Sequence, residues 1–141
     1  MKFNNKTLKI FVKSWHDEEL RQLVENNYGH ISTWDTSEVT DMSELFIDME
    51  YFNDDINNWD VSKVTNMSFM FYGCIEFNKP LNKWDVSNVM DMSYMFNFCY
   101  NFRQSINDWD ISNVVNNKYM FINDYPEELK PNNLKSYKLI Y

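Results

Sequence analysis

Four aspartates, Asp35, Asp60, Asp85 and Asp110, stand 25 residues apart, each directly after a tryptophan and two residues before a serine. A row of carboxylates offers hard oxygen ligands of the kind calcium takes. Calcium-binding repeats, however, also carry the glycines that shape their loops, and this chain has two glycines in 141 residues. The other chemistry is local. An aspartate at this spacing accepts hydrogen bonds from the serine two residues on and so forms an Asx turn. The scarcity of glycine favours turns over metal.

Cys74 and Cys99 are likewise one period apart, in a column that begins with Met49. Stacking would place their Cα atoms about 5 Å from each other, within reach of a disulfide. Their apolar column predicts instead two reduced, buried thiols. His16 and His30 bring the set to four nominal zinc ligands, but none of the short ligand spacings of zinc sites is present. No metal or cofactor is expected. The two histidines, with no glycine-rich phosphate loop and no G-x-S-x-G elbow, also argue against an enzyme.

Trp34, Trp59, Trp84 and Trp109 offer either a row of sugar-stacking platforms or a core column. Identity in every copy favours the core, as it does for Met42, Met67 and Met92 and for Phe46, Phe71, Phe96 and Phe121.

All these residues sit in one repeat, W-D-[TVI]-S-x-V-x-[DN]-M-S-x-[LM]-F, of period 25. That length is too short for paired helices or a propeller blade and falls in the range of leucine-rich-repeat coils. The predicted fold is therefore α/β, a short leucine-rich-repeat-like solenoid with a parallel strand plus a helical turn in each of four coils. In one coil, residues 64–67 read as the strand and Ser68 as the N-cap of the turn. The chain divides as a single domain into an N-terminal helical cap at 1–30, the coils at 31–121 and a C-terminal cap at 122–141. Leu8, Phe11, Val12 and Trp15 fall at helical spacing, Asp17 suits the start of a second helix and Gly29 its end.

The lines Trp59-Asp60-Val61-Ser62-Lys63-Val64-Thr65-Asn66-Met67-Ser68 and Trp84-Asp85-Val86-Ser87-Asn88-Val89, with Met70-Phe71 and Phe77-Asn78, resemble the BspA-like family of bacterial surface-protein and mycoplasma-lipoprotein repeats. Relatives occur in protists and giant viruses. The lead-in Leu8 to Trp15 and Tyr28 to Ile31 is similar to the segment that precedes such repeats. The resemblance implies a leucine-rich-repeat-like fold and adhesion or protein binding, with no shared catalytic residues.

Lys+Arg 13 against Asp+Glu 21 gives a net charge of −8, which opposes nucleic acid and anionic membranes. No run of 18 apolar residues is present, so membrane insertion is not expected. The opening segment is too short and too lysine-rich for a secretion signal. An intracellular location follows, with a virion or cell surface as the alternative if a leader has been removed.

Positions that differ between copies carry the functional expectation. The residue after the repeat's Met-Ser, with Asn-Lys in its place in the fourth copy, runs Glu44, Phe69, Tyr94, Tyr119, and an earlier position runs Thr40, Thr65, Met90, Val115. Both turn apolar toward the C-terminus. Phe69, Met90, Tyr94, Val115 and Tyr119 are thus the candidate interaction patch of a non-enzymatic module that binds a protein partner or a second copy. The alternatives are that Leu134 to Tyr141 cover these side chains, and that the surface serves adhesion or carbohydrate binding.

Overall fold

The computed structural model describes residues 1–135. Helices α1 (Asn5–His16) and α2 (Glu18–Tyr28) come first, then a 3-10 turn at Ile31–Thr33, the coils, a second 3-10 turn at Glu127–Leu129, and the short helix α3 (Asn132–Lys135). α1 begins at a reciprocal cap in which Asn4 and Thr7 each accept the other's backbone N–H at 2.9 Å. Asp17 caps α2 by accepting from the Glu19 and Leu20 N–H groups, and Gly29, at φ +81°, ends it. α1 buries Leu8, Val12 and Trp15, whereas α2 buries Val24 alone and leaves Leu20 and Leu23 in solvent.

The expected α/β leucine-rich-repeat-like solenoid is not what forms. Among the described residues there is no β-strand, and extended pairing is reduced to isolated parallel bridges that link Lys2 to Asp35, Asp41 to Asn66, Asn66 to Asp91 and Asp91 to Asn116. The cause is local. The side chains of Asp41, Asn66 and Asp91 accept the N–H of the serine two residues on, at 2.8 to 2.9 Å, which bends the chain immediately after the bridge. Next comes a left-handed residue, Glu44, Phe69, Tyr94 or Tyr119, with φ between +53° and +59°. A strand cannot extend through that conformation. Nor is Ser68 a helix cap: it donates to the Asn66 side chain, and residues 68–73 are successive turns. Met70 and Phe71 still point inward, fully buried.

Without strands, the coils are held by backbone hydrogen bonds that run forward through the turn segment, while Thr65, Met90 and Val115 donate back to the carbonyls of Thr40, Thr65 and Met90. The N–H groups of Met42, Glu44, Phe46 and Asp48 donate to the carbonyls of Asn66, Ser68, Met70 and Tyr72, and this pattern recurs from the second coil to the third. Alternate peptides therefore point their N–H toward the C-terminal end of the stack. At the last coil, the N–H groups of Asn117, Tyr119 and Phe121 find no acceptor among the described residues.

Inside run the predicted columns and, beside them, a further one of Phe52, Phe77 and Phe102. Phe46, Phe71, Phe96 and Phe121 stack at 5.4 to 5.8 Å between ring centroids, and Phe52, Phe77 and Phe102 at 5.7 to 5.8 Å. Trp34, Trp59, Trp84 and Trp109 are 3 to 4% exposed, and the indole of each donates to a backbone carbonyl. Burying the ring is favourable only because the N–H is satisfied at the same time.

Mimicry closes the backbone at the N-terminal end of the stack and continues a core column at the other. At the N-terminal end, Asn5 Oδ1 accepts from the Thr40 and Asp41 N–H groups, as the Met90 carbonyl accepts from Val115 and Asn116 further along. A side-chain amide thus replaces the peptide of a missing coil. Phe3 stacks on Trp34 at 4.8 Å and Trp15 meets it edge-on at 5.7 Å. At the other end Tyr125 takes the place of the next phenylalanine, 5.7 Å from Phe102, and its hydroxyl donates to the Gln104 carbonyl at 2.6 Å.

Candidate functional site

The left-handed residue of each coil carries its side chain outside the core. In the second, third and fourth coils that side chain is aromatic. Phe69 and Tyr94 stack with centroids 4.6 Å apart and planes within 9°, and Tyr119 continues the row 5.2 Å from Tyr94. Phe69 and Tyr94 are half-buried, whereas Tyr119 is 66% exposed. A left-handed residue costs about 1–2 kcal/mol, and an aromatic pair returns about 0.5–1.5 kcal/mol. The ladder thus offsets much of the strain of the turn that displays it.

Met90 and Val115 are 51% and 87% exposed and are tied to each other by the Val115 N–H on the Met90 carbonyl at 2.9 Å. They form a second strip, separated from the ladder along the chain by the turn at Asp91–Ser93. Val115 also lines a cleft of about 400 Å³ with Val114, Asn117 and Leu134. The predicted covering segment, Leu134 to Tyr141, lies beyond this point outside the described residues from 136 onward.

The structure adds three residues that the repeat comparison did not single out. Tyr72 lies 5.5 Å from Phe69 and meets Phe98 edge-on at 5.2 Å, and Tyr100 follows 6.1 Å from Phe98. A cleft of about 550 Å³ opens between Phe98, Tyr100, Tyr119 and Phe121. Phe98 belongs to a second left-handed column, Asp48, Gly73, Phe98, with φ of +57°, +74° and +60°. Gly73 was the signal, since a glycine inside an otherwise glycine-free repeat marks a backbone position that other residues occupy under strain.

Other groups capable of chemistry are engaged in structure. Asp35, Asp60, Asp85 and Asp110 each accept the N–H of the serine two residues on, at 3.0 to 3.1 Å, in the Asx turn expected of them. The serine hydroxyl and N–H bonds hold the Asp35, Asp60 and Asp110 carboxyls below their ordinary range. Cys74 and Cys99 are free, and their thiols donate to the Phe46 and Phe71 carbonyls. Burial pushes both thiols up, Cys99 to about 12.

Among the described residues, Asp54, His30 and Ser32 lie in a polar chain. Asp54 lies 3.6 Å from His30 Nε2, and His30 Nδ1 lies 2.8 Å from Ser32 Oγ while accepting the Ser32 N–H. Asp54 also takes the Trp15 indole at 2.9 Å and Arg21 at 3.1 Å, with the guanidinium over the Trp15 ring. These bonds join α1, α2 and the Ile31–Thr33 turn to the first coil, a positioning role for the cap. No group of three or more His, Cys, Asp or Glu side chains suited to a metal occurs among the described residues, and no helix there is long and apolar enough to cross a membrane.

The chain belongs to the family described as Mycoplasma protein of unknown function, DUF285, whose model matches residues 12–133. No curated protein and no solved structure matches it.

Proposed function

We propose that this DUF285 member is a non-enzymatic module that binds a protein partner through the Phe69–Tyr94–Tyr119 ladder and the neighbouring Met90–Val115 strip. The observation that carries the reading is the ladder itself. A row of aromatic rings is held in register outside a finished core, on backbone that is strained to display it. Aromatic side chains dominate the energetics of protein interfaces, and exposed apolar strips of this kind mark them. The finer kinship, to the BspA-like repeats, supports the same role.

Adhesion to carbohydrate is the second reading. It is disfavoured because the faces of Phe69 and Tyr94 cover one another, so a sugar ring cannot stack on them. The same ladder suits a second copy of the chain as partner.

The test is the pair Tyr94→Ser and Tyr119→Ser in one chain. Light scattering after size exclusion reads self-association, capture on immobilised protein reads a foreign partner, and a glycan array reads the second reading. Loss of association with an unchanged circular dichroism spectrum is expected. Retained association with an intact fold would place the site elsewhere.

A further inference from the structure

Beside the ladder, three coils build an acidic and aromatic cleft of about 380 Å³, lined by Asp48, Glu50, Tyr72, Gly73, Phe98 and Tyr100. Its construction can be read down two columns. The left-handed column runs Asp48, Gly73, Phe98, and the column two residues later runs Glu50, Ile75, Tyr100. The first coil supplies two carboxylates, the third supplies two rings, and the coil between leaves room for one of the carboxylates. That room is at Gly73: a Cβ there would lie 2.5 Å from Asp48 Oδ1, so the Asp48 carboxylate itself occupies the space over the glycine. Tyr72 and Phe98 stand at 87° to each other and make two walls of a corner.

The electrostatics point one way. Carboxylates and ring faces both attract cations, and neither Asp48 nor Glu50 has an ion-pair partner among the described residues. The arginines and lysines that do pair are bound to Glu38, Asp54, Asp124 and Glu127. The chain as a whole carries a net charge of −8, which draws basic partners toward it.

We propose that this cleft receives a lysine or arginine side chain of the protein partner, with the cation held between the Asp48 and Glu50 carboxylates and the Tyr72, Phe98 and Tyr100 rings. The inference rests on the interaction role proposed above and gives that partner its chemistry, a basic segment.

The probes are acetylated and amidated tripeptides Gly-Arg-Gly and Gly-Lys-Gly, with Gly-norleucine-Gly as the uncharged match. Titration of the isotopically labelled full chain, followed by two-dimensional NMR, is expected to give saturable shifts at the Gly73 and Ile75 amides with the two basic peptides only. Asp48→Asn, which keeps a group of the same shape over Gly73, and Glu50→Gln are expected to weaken binding about fivefold each. Phe98→Ala should weaken it about tenfold, and raised salt should weaken it in the wild type. Equal shifts with the norleucine peptide, or no shifts at millimolar peptide, would overturn the proposal. The Tyr94→Ser, Tyr119→Ser chain separates the two ideas: it is expected to bind the basic tripeptides normally while losing its macromolecular partner. If partner binding depends on the ladder and the tripeptides still fail, the cation site alone is wrong.

Discussion

At the scale of single residues, the strongest determinant is the tryptophan column. Trp84 is buried and gives its indole N–H to the Ile56 carbonyl at 3.0 Å. Trp84→Ala is expected to cost about 3–5 kcal/mol, read by denaturant unfolding, and an unchanged midpoint would remove the column from the core. Glu44 is the opposite case. It bears the left-handed strain, at φ +59°, and has no ring of its own to stack in return. Glu44→Gly should therefore stabilise by roughly 0.5–1 kcal/mol, whereas Phe69→Gly, which also loses a stacked ring, should not.

The Asx aspartates set a sign for pH. Asp35, Asp60 and Asp110 are depressed in the fold, so their contribution is complete above the ordinary carboxylate range and is lost as pH falls through the lowered values. Melting temperature should drop on acidification below about pH 4, and the combined Ser37→Ala, Ser62→Ala, Ser112→Ala chain should show a shallower drop. An equal drop in both would assign acid sensitivity to other groups.

At the scale of elements, the sequence was legible wherever side-chain burial decides the outcome. The columns of Trp, Met and Phe, the cap of Asp17 and the end of α2 at Gly29 were all readable from type and spacing. The strand was not, because positive φ at Glu44, Phe69, Tyr94 and Tyr119 leaves no mark in residues that rarely adopt it. Pattern alone took Val64 to Met67 for extended chain, while the Asx turn of Asn66 and the left-handed Phe69 confine pairing to one bridge. The candidate site was half legible. Phe69, Tyr94 and Tyr119 stood out as variable positions, but Tyr72, Phe98 and Tyr100 become neighbours only through the second left-handed column. The N-terminal closure is testable at this scale. Asn5→Ala strands the Thr40 and Asp41 N–H groups and should cost about 1–2 kcal/mol, with faster amide exchange confined to the first coil. Exchange that rises uniformly along the chain would show that Asn5 caps nothing in particular.

At the scale of the whole molecule, each coil exchanges backbone hydrogen bonds with the coils on both sides and takes its core from its neighbours, so the stack presents an outer surface whose character changes from acidic to aromatic. The first coil offers Glu44, Asp48 and Glu50, while later coils offer Phe69, Tyr94, Phe98, Tyr100 and Tyr119. The proposed binding surface is that aromatic half, with the first coil's carboxylates at its edge. Site-specific photocrosslinking tests this most directly, with benzoylphenylalanine at Tyr119 in the ladder and, as an exposed control, at Leu23 on α2, which is 60% exposed. A discrete protein adduct from position 119, absent from position 23, is the expected result. Adducts from position 23 alone, or equal labelling at both, would contradict it.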